Sequence, residues 1–179
     1  MQYFTADTHF GHTNIIYHTN RPFKNTNEMD NKLIDNFNSI VGSQDDLYII
    51  GDYSMVGPTK RLYLEKITRR LIGHKHLILG NHDRLKPFKY IDIGFESVHT
   101  SLELHIPEIG RCLLNHDPSV SCMVRDWILL CGHVHDLFRS IDYVINVGVD
   151  VWDFKPVSIS QIEDILKWTV KGNLYDAKN

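Results

Sequence analysis

The chain has 179 residues and a formal net charge of −3, with 42% hydrophobic and 23% charged residues. This length predicts a single domain over residues 1–179, which can bury enough surface to fold without disulfides or structural zinc. The composition excludes a disordered chain, and the near-neutral charge argues against a protein that holds nucleic acid mainly by bulk positive charge. No apolar run approaches the roughly 18 residues of a membrane span, and the first residues do not resemble a secretory signal. Three cysteines favour a reducing cytoplasm over a disulfide framework.

Short apolar runs that end at turn-forming or polar residues recur along the chain and predict strands. They are residues 2–6, 47–50, 76–79, 111–115, 127–131 and 143–147. Segments with apolar residues at helical spacing predict helices over 27–41, over 59–71 and near the C-terminus, where Ser158 or Ser160 would be the cap. The alternation of strands and helices predicts a mixed α/β fold whose first strands are parallel. The strand-rich stretch 95–151, with one helical turn near 119–125, predicts antiparallel or mixed strands.

Side chains that can bind metal follow five of these runs. In open α/β sheets, ligands bind at the carboxyl ends of strands, so we expect the loops there to meet at one site. In chain order the clusters are Asp7-Thr8-His9, Gly51-Asp52, Gly80-Asn81-His82-Asp83, His116 and Gly132-His133-Val134-His135. Each cluster alone is a common turn or hydrogen-bonding motif. Together, their imidazole, carboxylate and amide groups predict a site for divalent cations such as Mn, Fe, Zn or Ni.

The ordered set resembles the motifs of the calcineurin-like metallophosphoesterase superfamily. The opening DTHFGH, from Asp7 to His12, and the later Arg21-Pro22-Phe23 are similar to the small bacterial and phage-type phosphoesterases of that superfamily. The segment NVGVD, residues 146–150, resembles the strand that closes the fold in small members. The resemblance implies a four-layer α/β/β/α sandwich with a two-metal site at one edge of the sheets.

The resemblance also implies a role for each residue of the set. One metal ion would be held by Asp7, His9, Asp52 and His135, and the other by Asp52, Asn81, His116 and His133, with Asp52 bridging them. Mn is the expected metal. A cluster of two divalent ions, two carboxylates and one hydroxide would have a net charge of about +1, and this positive charge would attract an anionic phosphate ester. The expected mechanism is attack by metal-bound hydroxide, with His82 protonating the leaving oxygen as the general acid.

Residues outside these motifs support further expectations. His12 and Arg21 would contact the substrate phosphate, with hydrogen bonding inside their loop as the alternative for each. Asp83 would orient the loop that carries His82 or would be structural. Cys131 is expected to be a buried thiol rather than a nucleophile. His74 and His76 are expected to face solvent or to have satisfied hydrogen bonds, and His99 and His105, on strands away from the motifs, are expected to be structural.

The sequence therefore predicts a cytoplasmic, metal-dependent phosphoesterase that acts on a small phosphate ester or nucleotide, with phosphodiesters favoured over monoesters by the resemblance. One alternative is a metal-dependent nuclease acting on DNA or RNA ends, and another is a non-catalytic metal-binding scaffold of the same fold. A protein Ser/Thr phosphatase is not expected, because residues 51–57 lack the second Asp and the Arg of the GDxVDRG motif. The native metal, the substrate and the oligomeric state stay open.

Overall fold

The computed structural model describes residues 1–56, 60–124 and 126–176. Its strands are β1 (Gln2–Thr5), β2 (Asp46–Ile50), β3 (His74–Ile78), β4 (Ser97–His99), β5 (Leu102–Ile106), β6 (Gly110–Leu114), β7 (Ile128–Cys131), β8 (Ser140–Ile141), β9 (Val144–Asn146) and β10 (Val157–Ser158). Its α-helices are α1 (Thr13–His18), α2 (Thr26–Asn38), α3 (Arg61–Arg70), α4 (Pro87–Asp92) and α5 (Ile159–Asp176). Short 3-10 helices cover Pro118–Met123 and Val149–Val151.

The strands form two mixed five-stranded sheets. The first sheet has the order β10-β1-β2-β3-β4, in which β1 to β4 run parallel and β10 is antiparallel to β1. The second has the order β5-β6-β7-β9-β8, in which β6, β7 and β9 run parallel and the two edge strands are antiparallel to their neighbours. The predicted mixed α/β class, the parallel first strands and the mixed second sheet are confirmed.

Successive residues of the first sheet point to opposite faces, and both faces are buried. On β2, Leu47 and Ile49 join a cluster with helical residues such as Met29, Leu33 and Phe37 of α2. These three lie four residues apart on one face of α2, and all are fully buried. Asn25 begins this helix, because its side-chain oxygen accepts the backbone N–H of Glu28 at 3.0 Å.

The opposite face of the first sheet packs against the second sheet. Phe4, Ile50 and Ile78 share one apolar cluster with residues of the second sheet, among them Leu114 and Leu130. Ile162 of α5 is buried in the same cluster. The two sheets are therefore held face to face by apolar burial, which is the dominant favourable contribution to folding.

The chain segments that follow the parallel strands meet at one edge of the two sheets. After β1, the N–H of Ala6 donates to Val147 O at 3.1 Å, and the N–H of Val149 donates to Ala6 O at 3.1 Å. On the other side, the N–H of Asp7 donates to Gly51 O at 3.1 Å. The end of β1 is thus paired with the ends of both β2 and β9, so the polar residues that follow these strands converge.

Several element bounds differ from the predictions. β3 begins at His74, two residues before the predicted start, because its polar first residues pair with β2 from Asp46 onward. Ser158 caps α5: its hydroxyl accepts the N–H of Gln161 at 3.3 Å, while its own N–H donates to Gln161 Oε1 at 3.0 Å. Residues 59 and 125, the ends of two predicted helical segments, lie outside the described residues. Within the described ranges, no helix has the length and apolarity needed to cross a membrane.

Candidate metal centre

The loops at the shared sheet edge hold their side chains in an uncommon backbone conformation. Five residues of the predicted site have a positive φ: Asp7 (56°), His9 (50°), Asp52 (51°), His133 (73°) and His135 (49°). Such a conformation costs about 1–3 kcal/mol at a residue other than glycine, and it persists only where the surroundings impose it. Hydrogen bonds between the loops hold this conformation: the N–H of His9 donates to Asp52 O at 2.9 Å, and both carboxylate oxygens of Asp7 accept the N–H of His133 at 3.0–3.1 Å.

One donor group consists of Asp7, His9 and His135, whose potential ligand atoms lie within 4.8 Å of one another. Neither ring nitrogen of His9 forms a hydrogen bond with a described residue, although the side chain is buried. Burial lowers the pKa of His9 to about 3, so its ring is neutral near pH 7 and keeps a free lone pair. An unpartnered, neutral imidazole beside a carboxylate is the arrangement that a divalent cation requires.

A second donor group consists of Asp7, Asp52 and His116, again with ligand atoms within 4.8 Å of one another. His116 Nδ1 donates to Ile50 O at 2.9 Å, which leaves Nε2 to face Asp52 Oδ2 at 3.4 Å and Asn81 Oδ1 at 3.0 Å. The same Asn81 oxygen lies 3.1 Å from His133 Nδ1. The structure thus brings His116, Asn81 and His133 to one side of Asp52.

Asp7 belongs to both groups, and Asp52 of the second group lies between a histidine of each. Asp52 Oδ2 lies 3.5 Å from His9 Nε2 and 3.4 Å from His116 Nε2. Burial raises the pKa of Asp52, but the hydrogen bond and charge of His116 and the N–H of His82 outweigh it and hold the pKa at about 2. Burial likewise lowers the pKa of His116, but Asp52 and Asp7 outweigh it and raise the pKa to about 9. In the metal-free protein, a proton on His116 therefore supplies the positive charge that these two carboxylates attract.

Two glycines permit the close approach of the ligand loops. A Cβ atom at Gly132 would lie 2.6 Å from Ala6 Cβ and 2.8 Å from Asp7 Oδ2. A Cβ atom at Gly80 would lie 2.4 Å from both the backbone N and Oδ1 of Asp52. Cβ atoms essentially never make non-bonded contacts this short, so any side chain at either position would displace a candidate ligand.

The first donor group opens, through His9 and His135, into a cleft of about 680 Å³. It lies between the α1 region and the loop after β7, and it is lined by His9, His12, Asn14, Ile15, His18, Thr19, Met55, His82, His133, Val134, His135, Asp136 and Leu137. The predicted substrate residue His12 and the predicted acid His82 both reach this cleft. A ligand bound here would touch His9 and His135 of the first donor group together with these two imidazoles.

His82 is anchored by its backbone while its ring faces the cleft. Its N–H donates to Asp52 Oδ1 at 2.9 Å, its Nε2 lies 4.0 Å from Asp52 Oδ2, and its side chain is 30% exposed. The neighbouring Asp83 accepts the N–H of Gly80 at 2.9 Å, which supports its predicted role in orienting the loop. Burial raises the pKa of Asp83 to about 7. His82 is thus held beside the metal donors and remains open to a ligand.

Arg21 does not line the cleft. The prediction that Arg21 contacts the substrate phosphate is therefore wrong. The Arg21 side chain is fully buried, and its guanidinium donates to Asp150 with Nε at 2.7 Å and Nη2 at 2.9 Å. Asp150 in turn accepts His135 Nδ1 at 2.9 Å. The sequence reasoning missed Asp150 as a site residue, although it lies within the segment 146–150 that it singled out. The alternative of internal hydrogen bonding for Arg21 is therefore the one that the structure shows.

Two known proteins are similar to this chain in sequence over most of its length. No protein-family model matches the chain. It is 30% identical over 175 residues to the uncharacterized protein MJ1445 of Methanocaldococcus jannaschii, covering 92% of this chain and 90% of that protein. It is also 30% identical over 194 residues to the gene 66 protein of Mycobacterium phage L5, covering 92% and 93%. The chain belongs to the family of these two proteins.

A solved structure shares the fold of this family member. The protein of unknown function AQ665 from Aquifex aeolicus superposes with a TM-score of 0.75 at 27% identity, over 92% of this chain and 98% of that one. The names of these three proteins assign no activity. Any function must therefore be argued from the residues of the centre itself.

The residues expected to be structural or solvent-facing lie outside both donor groups, although His105, expected to be structural, is exposed on β5. His76 Nδ1 and His99 Nε2 lie 2.8 and 2.9 Å from the same Ser97 hydroxyl, away from the centre. His74 forms a close contact with Glu96. Cys131 is buried, and burial raises the pKa of its thiol to about 12, so it is an inert core residue rather than a nucleophile.

Proposed function

We propose that this protein is a divalent-metal-dependent phosphoesterase of the calcineurin-like metallophosphoesterase superfamily, acting preferentially on phosphodiesters. In this proposal, the two sheets and the flanking helices correspond to the four-layer sandwich of that superfamily. The observation that carries the proposal is Asp52, whose Oδ2 lies 3.5 Å from His9 Nε2 and 3.4 Å from His116 Nε2. A carboxylate that lies between histidines of two donor groups is placed as a ligand bridging two metal ions would be.

The donor set fits a pair of borderline divalent ions, and we propose Mn²⁺, with Fe, Zn or Ni as alternatives. One ion would be held by Asp7, His9, Asp52 and His135, and the other by Asp52, Asn81, His116 and His133. The fit is supported by the buried, neutral His9, whose ring nitrogens have no partner among the described residues. When bound, such ions polarise phosphoryl oxygens and lower the pKa of a coordinated water to near 7.

His82 supplies the proton that the leaving oxygen needs. Its backbone N–H is tied to Asp52, so the ring is fixed beside the donors, while the exposed part of the ring faces the cleft. We assign the transferred proton to Nε2, the ring nitrogen that lies 4.0 Å from Asp52 Oδ2. General acid assistance of this kind contributes about 10²–10⁴ in rate.

The charge of the cleft supports a diester substrate. Among the described residues that line it, only histidines can carry positive charge, and Asp136 adds a negative one. Arg21 is buried and is neutralised by Asp150, so it brings no net charge to the cleft. A monoester carries close to two negative charges near neutral pH, because its second pKa is about 6, whereas a diester carries one. A lining without Lys or Arg suits the singly charged ester.

The decisive experiment compares His82→Ala with wild type on an aryl phosphodiester and the matching monoester. Metal-stripped protein is reloaded with Mn²⁺, Ni²⁺, Zn²⁺ or Mg²⁺ singly. We expect His82→Ala to bind metal as wild type does and to lose about 10²–10⁴ of the diesterase rate. The control is His105→Ala, which changes an exposed residue of β5. Wild-type protein that hydrolyses neither ester with any metal contradicts the proposal.

One observation favours a second candidate function, hydrolysis of a nucleic-acid strand. The segment after His82 exposes Arg84, Lys86 and Phe88, and Lys89 Nζ lies 4.9 Å from the centre of the Phe88 ring. Cations beside an exposed aromatic ring are typical of surfaces that bind single strands. This candidate would be supported if the protein cleaves an oligonucleotide and if the Kd of their complex rises steeply with salt. The Kd should also be higher for the Lys86→Ala variant than for wild type. Aryl diester hydrolysis without oligonucleotide binding would contradict it.

A further inference from the structure

A buried ion pair lies behind the donor group of Asp7, His9 and His135. Arg21 Nε and Nη2 donate to the two oxygens of Asp150 at 2.7 and 2.9 Å, and the two side chains are 0% and 3% exposed. Burying two charges carries a desolvation cost that a buried salt bridge often fails to recover, and an apolar pair of the same volume is frequently as stable. Fold stability alone is therefore a weak reason for this pair.

The remaining contacts of Arg21 point to the loop that carries two candidate ligands. Nη2 donates to Asp7 O at 2.7 Å, and Nη1 donates to Thr8 O at 3.1 Å. These carbonyls belong to the segment in which Asp7 and His9 both have a positive φ. Apart from Met29 Sδ at 3.4 Å, the polar contacts of the guanidinium recorded for the described residues go to this loop or to Asp150.

Asp150 extends the same network to the third candidate ligand. Its Oδ2, which already accepts from Arg21, lies 2.9 Å from His135 Nδ1. A carboxylate is only an acceptor, so the neutral His135 ring holds its proton on Nδ1 and offers the lone pair of Nε2. Carboxylates in this position orient a ligating histidine and raise its basicity toward the metal.

We propose that the Arg21–Asp150 pair is a positioning device for one metal ion of the centre, the one held by Asp7, His9 and His135. The pair fixes the backbone of the first two ligands through Arg21 and the tautomer of the third through Asp150. The polar contacts of the pair among the described residues do not reach the side chains that would hold the other ion, which are Asp52, Asn81, His116 and His133. The inference rests on the proposed metal centre, and it predicts that the pair controls the affinity of one ion and not of the other.

The test measures Mn²⁺ binding to metal-stripped protein by calorimetry. We expect two binding events in wild type, and we expect Asp150→Asn to weaken one of them by about 10–100-fold while leaving the other unchanged. Arg21→Lys should weaken the same event by less, since an ammonium keeps the charge but loses the planar fork of donors. Asn81→Ala should weaken the other event and so identify it. The matched control is Asp92→Asn, which removes the exposed ion pair between Arg61 and Asp92, whose charged atoms lie 3.2 Å apart. It should leave both binding events unchanged.

A second readout uses wild-type protein and needs no variant to fold. In the metal-free chain, at a pH where the ring is neutral, ¹⁵N NMR should show His135 as the Nδ1–H tautomer. The inference is overturned by an Nε2–H tautomer, by Asp150→Asn that binds both ions as wild type does, or by an equal loss at both ions. None of these measurements depends on ester hydrolysis, so they decide this inference separately from the proposed function.

Discussion

Protons on His116 compete with the divalent cation that Asp52, Asn81, His116 and His133 would hold. The pKa of His116 is raised to about 9 by the nearby carboxylates of Asp52 and Asp7, against the opposing effect of burial. A histidine must be neutral to bind a metal, so at pH values below about 9 the cation has to displace this proton. Affinity for Mn²⁺ should therefore rise with pH up to about 9 and then level off. The proton of His135, whose pKa is also raised despite burial through its contact with Asp150, acts in the same direction.

The size of the effect follows from the pKa. For one displaced proton with a pKa of about 9, affinity falls tenfold per pH unit well below that value, so it should be roughly 80-fold weaker at pH 6.5 than at pH 8.5. Calorimetric titrations at pH 7.5, in two buffers with different ionisation enthalpies, should show release of at least about one proton per protein. His9 contributes no proton, because burial lowers its pKa to about 3.

The variant His116→Asn separates this effect from a general influence of pH. It removes the titrating ring but keeps an oxygen donor, so its weaker Mn²⁺ affinity should depend less on pH than that of wild type. The exposed-residue variant His105→Ala should behave as wild type. Equal Mn²⁺ affinity at pH 6.5 and 8.5 in wild type, with no dependence on the buffer, would refute the reasoning.

Three further substitutions probe the fold and the ligand loops. Leu33→Ala opens a cavity in the helix–sheet core, where Leu33 is fully buried, and should lower the free energy of unfolding by about 2–5 kcal/mol in urea denaturation without changing Mn²⁺ stoichiometry. Gly132→Ala places a Cβ 2.8 Å from Asp7 Oδ2, so calorimetry should show Mn²⁺ affinity reduced by roughly tenfold or more. Ser158→Ala removes the cap of α5, formed with Gln161, and should cost about 1 kcal/mol in thermal unfolding; an unchanged melting temperature would contradict the capping role.

The candidate ligands could be predicted because each lies in a local motif. A run of apolar residues that ends in a turn marks the carboxyl end of a strand, and the side chains there are read directly from the sequence. Asp7, Asp52 and His116 follow such runs, and the structure places them within 4.8 Å of one another. The elements that escaped prediction are short: α1 and α4 have six residues each, and β10 has two. Such segments are too brief to show a periodicity.

The sequence by itself determined the chemistry of the centre, that is, which donors are available and that they follow strands. Only the tertiary structure decided what lies behind those donors. Arg21 and Asp150 are 129 residues apart, and neither belongs to a motif that predicts the other. Their pairing arises because β1 and β9, from different sheets, are joined through Ala6 and Val147 at the edge where the loops meet. A buried charge needs a nearby opposite charge, and which residue supplies it depends on how the folded chain packs. These tertiary contacts are not encoded in any local sequence pattern.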